Sequence, residues 1–222
     1  MKLIKLSLVA AVFTTAMYAG NELAIEETDG LEISANVALT SNYVWRGMTQ
    51  TDDSAAIQGG ADIEYIGLYA GVWGSNISWT NDNESSLEAD FYAGYTNEIA
   101  GFSYDLGFIA YTYPNVMDEM NFGEAYLGLG YDFGVAAIGA SYALGVSIGD
   151  TEDIPDNWEV SASAPLPMDF SVDAVYGDYD TVGAYYLIGL NYSYDKYDFI
   201  VAYTANDGTD EDNFVATVGT SF

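Results

Sequence analysis

Five carboxylates interrupt apolar alternation instead of sitting in polar runs. Glu88 and Asp90 in LEADFYAGY, Asp105 in FSYDLGF, Glu124 in GEAYLGLGY and Asp173 in SVDAVYG each have apolar or aromatic residues on both sides. Residues two apart on an extended chain share a face, so Glu88 and Asp90 point together, away from Leu87, Ala89 and Phe91. Carboxylates so placed could exchange protons as an acid and base pair, or draw cations into a wet space. The first chemistry is weakly specified, because with 34 Asp and Glu in 222 residues carboxylate pairs arise by chance. Histidine and cysteine are both absent. A Ser-His-Asp hydrolase, a His-dependent outer-membrane protease or phospholipase and a thiol nucleophile therefore lack essential groups in their usual forms. The sequence reads as a non-enzyme with no cofactor.

Four Lys and Arg against 34 acids give a net charge of −30, which removes any basic footprint for nucleic acid. Charged partners should be cations. Two of the four bases, Lys2 and Lys5, precede an apolar run and then small residues in MKLIKLSLVAAVFTTAMYAG, the layout of a secretory signal peptide. We assign residues 1–19 to that leader and 20–222 to a single domain. Its removal leaves Arg46 and Lys196 as the bases of the mature chain.

The elements that must position these groups are strands. Period-two alternation recurs from Leu31 to Phe222 in about twelve segments of roughly eight to twelve residues, the length a tilted strand needs to cross a bilayer. The connections alternate in length. Short ones fall at 65–67, 97–101, 132–134, 165–167 and 194–197; long polar ones fall at 41–53, 75–86, 112–121, 147–157, 177–183 and 205–212. All four prolines fall in these inferred connections. This pattern predicts an all-β fold: a transmembrane up-and-down antiparallel β-barrel of about 12 strands in the outer membrane of a Gram-negative bacterium, preceded by a cleaved signal peptide. A secreted sandwich would also alternate, but its second face would carry Lys and Thr rather than Gly, Ser, Asn, Tyr and acids. Aromatic residues gather near strand ends, as in the girdles of a lipid-facing surface. The closing segment NFVATVGTSF should pair with the first strand, and its final Phe222 resembles the terminal signal read by the barrel-assembly machinery.

The stretch LTSNYVWRGMTQTDDSAAIQGGADIEY, followed by GLYAGVWGSNI, resembles the TorF family of proteobacterial porins, formerly called Gcw_chp. Ser41, Asn42, Tyr43, Trp45, Arg46 and Gly47 carry the resemblance, with Gln58, Gly59, Gly60, Gly71, Trp73, Ser75 and Asn76. It extends over the whole mature chain and implies an outer-membrane barrel; the porin label is itself an inference and says little about cargo.

If the apolar faces meet lipid, then Glu32, Asp62, Glu64, Glu88, Asp90, Asp105, Glu124, Glu159, Asp169, Asp173 and Asp198 point inward. Bare charges in a dry interior are costly, so a wet lumen that favours small cations or neutral solutes is the simpler arrangement. Pore-lining candidates are Asp90 and Asp173 at the constriction, with Glu88, Asp105, Glu124 and Arg46. The alternative is a barrel plugged by Tyr69, Trp73, Tyr92, Tyr111 and Tyr126, with a structural or surface-interaction role through its acidic loops. Arg46 either gates the mouth or touches a lipid phosphate, or pairs with Asp52, Asp53 or an inward acid and fixes its loop. The loop runs DTED, DEM, DYD and DGTDED are solvated acids or weak divalent-cation sites that bridge to lipopolysaccharide. Partners expected from this reading are outer-membrane lipid and lipopolysaccharide, the assembly machinery, and the diffusing solutes.

Overall fold

A computed structural model describes residues 30–78, 85–114, 120–148 and 153–222. The expected leader, 1–19, lies outside them. Among the described residues the strands are β1 (Leu31–Thr40), β2 (Val44–Trp45), β3 (Met48–Thr49), β4 (Ala56–Tyr65), β5 (Leu68–Asn76), β6 (Leu87–Ile99) and β7 (Phe102–Thr112). They continue with β8 (Phe122–Asp132), β9 (Ala137–Ser147), β10 (Asn157–Pro165), β11 (Phe170–Tyr179), β12 (Gly183–Tyr194), β13 (Tyr197–Asn206) and β14 (Glu211–Ser221). Twelve of them, all except β2 and β3, close a barrel in which each strand pairs antiparallel with its sequence neighbours and β14 pairs with β1. The join is tied at its end by Ala35 N–H to Phe222 O at 3.0 Å and Phe222 N–H to Ala35 O at 2.8 Å. Closure leaves no open edge, which is the condition for a sheet surrounded by hydrocarbon.

Register follows the alternation. Ile33, Leu39, Ile57, Val72, Phe91, Leu106, Leu127, Leu144, Ile188 and Val201 are exposed on the outer surface. In water so continuous an apolar surface would drive association; against lipid it costs nothing. Aromatics ring both ends of this surface. Trp158 and Tyr176 lie 5.9 Å apart, Tyr186 and Tyr203 6.0 Å, and Tyr203 and Phe214 4.9 Å near the end with the long connections. Phe170 and Tyr192 at 4.7 Å and Tyr131 and Phe133 at 4.7 Å mark the other end.

The short connections are tight. Ile66 and Gly67 have φ of 51° and 81°, and Ala100 and Gly101 have 55° and 83°. Two successive positive φ values match the turn whose twist fits a two-residue hairpin. A Cβ on Gly67 would collide with the carbonyl of Thr96, so glycine is required there for space as well as for φ.

Several expectations need correction. The connections expected at 177–183 and 205–212 are only 180–182 and 207–210, because β11, β12, β13 and β14 run further than their hydrophobicity suggested. Their extended ends are carried by Gly177, Asp178 and Asp212, which continue the pairing without an apolar signal. Pro165 is the last residue of β10, where no further partner is needed. Asp169 does not face inward: with Met168 it sits at positive φ, exposed, in the β10–β11 turn.

The lipid-facing assignment predicts the effect of a charge at mid-strand. Val201→Arg should destabilise the vesicle-embedded barrel by about 2–4 kcal/mol, read from urea titrations of tryptophan fluorescence; an unchanged midpoint would place Val201 away from hydrocarbon.

Candidate functional site

The connection after β1 turns back into the barrel. Its apolar residues explain why: Tyr43 and Val44 are buried and Trp45 is half-buried, which solvent would not allow. β2 and β3 form a small hairpin, with Val44 opposite Thr49 and Trp45 opposite Met48. Its tip is Arg46 and Gly47, at φ of 49° and 81°. A Cβ on Gly47 would lie 2.5 Å from the carbonyl oxygen of Ala205, so only glycine lets the tip press against β13. Asn206 donates to the Arg46 carbonyl at 2.9 Å from that same strand.

From the tip the Arg46 side chain reaches a strand far around the barrel. Its two terminal nitrogens donate to both oxygens of Glu124 on β8, at 2.7 and 2.8 Å. The guanidinium is 2% exposed and the carboxylate 0%. Trp45 and Tyr179 cover the guanidinium at 4.2 and 4.5 Å from their ring centroids. Burial alone would disfavour the charged guanidinium, but the adjacent Glu124 carboxylate reverses that and holds its pKa above the usual range. A planar fork on a carboxylate fixes direction as well as distance. Arg46 thus pairs with an inward acid, as one of the expectations had it, and Asp52 and Asp53 stay exposed. Because one strand bonds its carbonyl and another its side chain, the residue ties the hairpin across the bore.

Tyr43 adds a second tether. Its hydroxyl donates to Glu88 at 3.1 Å and its ring meets Trp73 edge-on at 5.4 Å. Burial first, then the Glu88 and Asp90 carboxylates, push the phenol well above its ordinary pKa, which keeps it a donor. Further along, the Asn42 side chain donates to Asn213, and Thr49 N–H to Glu211, at 2.9 and 2.8 Å.

The candidates from the sequence divide into three settings. Glu88, Asp90 and Glu124 are buried beside the hairpin, with Tyr111 donating to Glu124 at 3.2 Å. Glu159, also buried, accepts from Tyr185 at 2.8 Å. Asp105 lies nearer the short-turn end, bonded by Tyr69 at 2.7 Å; Tyr69 also meets Tyr126, and Tyr92 bonds Asp62. This wall, from β4 to β8, is packed with tyrosine and carboxylate. Asp173 is separate. It accepts from Asn191 and borders a partly open cavity.

That cavity runs along the other wall, from β11 through β14 to β1 and β4. Leu187, Ile200, Ala202 and Val215 supply an apolar side; Thr40, Asn42, Gln58, Asn191, Thr204 and Thr217 supply hydroxyls and amides. Val44 of the hairpin touches it. Asp173 is the one charged residue on this lining. Among the described residues the interior is therefore asymmetric, packed with tyrosine and carboxylate on one wall and bordering a cavity on the other. Charge pointed to Arg46 and Gln58 entered only with the family resemblance, but the infolding of the hairpin was not read from the sequence; its signal was three apolar residues, Tyr43, Val44 and Trp45, inside a connection otherwise polar.

A family model described as a bacterial protein of unknown function (Gcw_chp) matches residues 24–222. No curated protein matches the chain. Among solved structures, a KdgM porin superimposes with a TM-score of 0.64 at 11% identity, covering 85% of this chain and 99% of that one. A KdgM porin in complex with disordered oligogalacturonate gives 0.63 at 11% identity, over 86% and 98%. Outer membrane phospholipase A from Escherichia coli gives 0.52 at 13%, over 85% and 91%. At these identities the likeness is one of fold.

The ion pair gives a protease readout. In a chain starting at residue 20, trypsin can cut only after Arg46 and Lys196. In a Lys196→Gln background the folded barrel should resist trypsin, whereas Glu124→Gln, which strands the guanidinium at a cost of about 3–5 kcal/mol, should be cut after Arg46. Equal resistance of both would mean that the pair does not hold the hairpin.

Proposed function

The chain belongs to the Gcw_chp family, and on that footing we propose that it is an outer-membrane channel for passive diffusion of small cations or neutral solutes. The cavity beside Asp173 is the observation that carries this reading. A barrel whose interior were only structural would be filled on all sides, as the wall from β4 to β8 is. The long connections would face the exterior and lipopolysaccharide, the short turns the periplasm. Barrel lipid, the assembly machinery acting on the Phe222 strand, and a signal peptide over 1–19 belong to the same proposal, as does the TorF porin label.

Selectivity would come from charge. The net charge of −30 and a lining whose one charged member is a carboxylate favour cations over anions. A KdgM porin of the same fold has been solved with oligogalacturonate, an anionic sugar; beyond residues 1–19 this chain offers such a solute only Arg46 and Lys196 as bases. No residue takes a catalytic role in this reading.

The infolded hairpin favours a second reading, a plugged barrel that acts through its acidic loops. The runs at 178–180 and 207–212 are described in part as strand ends, while DTED and DEM fall largely outside the described residues. Among the described residues no group of three or more carboxylates is arranged to hold a metal.

Planar-bilayer recording of the refolded, leader-free protein separates the two. The channel reading predicts discrete steps with a cation-selective reversal potential that weakens below about pH 4, where ordinary carboxylates take up protons. Clean insertion with no conductance would overturn it in favour of the plugged barrel.

A further inference from the structure

Two inward rows of the barrel share a pattern across three neighbouring strands: a carboxylate, a glycine and a tyrosine. Asp62 on β4 pairs with Gly71 on β5, which pairs with Tyr92 on β6. Glu159 on β10 pairs with Gly177 on β11, which pairs with Tyr185 on β12. In both rows the tyrosine ring lies over the glycine, where a Cβ would collide with it, and the hydroxyl donates to the carboxylate. Strands about 4.8 Å apart put the outer members of such a row about 10 Å apart at Cα. One tyrosine side chain closes that gap by leaning across the glycine.

A third row has the same first two members. Asp173 on β11 pairs with Gly189 on β12, and Gly189 pairs with Ala202 on β13. Its third member is a methyl group where the others carry a ring. A Cβ placed on Gly189 would meet Leu187 and Ala202 at ordinary contact distances of 3.7 and 3.8 Å, with no ring above it. Asn191 donates to Asp173 Oδ2, and among the described residues no tyrosine or cation reaches the other oxygen. Asp173, Gly189 and Ala202 all line the cavity, which opens where this row lacks its ring.

We infer that the row binds a small phenol in the place that a tyrosine side chain takes in the other two. The ring lies over Gly189 and Ala202, between Leu187 and Ile200, and the hydroxyl donates to Asp173 Oδ1. A hollow in a packed interior accepts a small molecule that matches its shape, and a hydroxyl bonds a carboxylate more strongly than it bonds a neutral oxygen. A hydrocarbon ring brings that oxygen no donor, and an aromatic acid is repelled by it. The inference deepens the channel reading by naming a neutral solute class, and its consequence for transport rests on that reading.

p-Cresol, the tyrosine side chain as a free molecule, is the probe; toluene lacks the donor and p-toluate carries a negative charge. The refolded, isotopically labelled barrel in detergent micelles is titrated at pH 7 while the side-chain amide of Asn191, which bonds Asp173, is followed. The row predicts saturable shifts with p-cresol, binding of toluene at least tenfold weaker, and none of p-toluate. Ala202→Tyr and Gly189→Val fill the space from the chain itself, and each should weaken p-cresol binding at least tenfold. No saturable shift in the unaltered barrel, toluene binding as tight as p-cresol, or undiminished p-cresol binding in either variant would overturn the inference. Because binding is read without current, a barrel that conducts but ignores p-cresol refutes the phenol site alone, and one that binds but does not conduct refutes the channel alone.

Discussion

A single guanidinium sits among carboxylates inside the barrel and holds its first connection there. Arg46 and Glu124 meet as a buried bidentate pair, and neither charge has water to fall back on. In that setting losing one partner is far more costly than losing a surface pair, because the survivor remains buried. The pair decides where the hairpin rests, and the hairpin decides which half of the bore is occupied. Trp45 and Tyr179 stacked on the guanidinium, and Asn206 on its carbonyl, make the position tolerant of no other basic residue: a lysine would lose both the fork and the stacking.

The outer half of the structure obeys a simpler constraint. Hydrocarbon offers no hydrogen bonds, so every strand must find two neighbours, and β14 closing on β1 completes the ring. Residues that satisfy this rule alternate regularly, and twelve strands were therefore legible from Leu31 onward without reference to any fold. The faces were legible too. Glu88, Asp90, Asp105, Glu124, Glu159 and Asp173 all point inward because their neighbours Phe91, Leu106, Leu127, Trp158 and Tyr176 point outward.

What alternation does not encode is how an interior fills. Asp90 and Asp173 looked alike in sequence, each a carboxylate set back from the inferred connections. They part company because β6 faces the infolded hairpin and a wall of tyrosines, whereas Asp173, paired beside Gly189 of the neighbouring strand, borders the cavity. That difference depends on contacts between residues distant in the chain, such as Tyr43 with Glu88 and Arg46 with Glu124. The hairpin itself was hidden for a related reason. Two-residue strands carry too short a pattern to register, and the clue lay in Tyr43, Val44 and Trp45 being too apolar for an exposed loop. Strand ends at Gly177, Asp178 and Asp212 were missed because backbone pairing continues where side chains no longer need lipid.

The central claim is that the bore is filled on the β6–β8 side and hollow on the β11–β14 side, with Arg46 keeping it so. The absence of native cysteine allows a direct measurement. Single variants Asp90→Cys and Thr217→Cys, in the vesicle-embedded barrel, can be timed against a small water-soluble cationic thiol reagent. The account predicts rapid modification at Thr217→Cys, protection at Asp90→Cys, and loss of that protection when Arg46→Gln is added. Equal rates at the two positions, or protection at Asp90→Cys that survives Arg46→Gln, would contradict it.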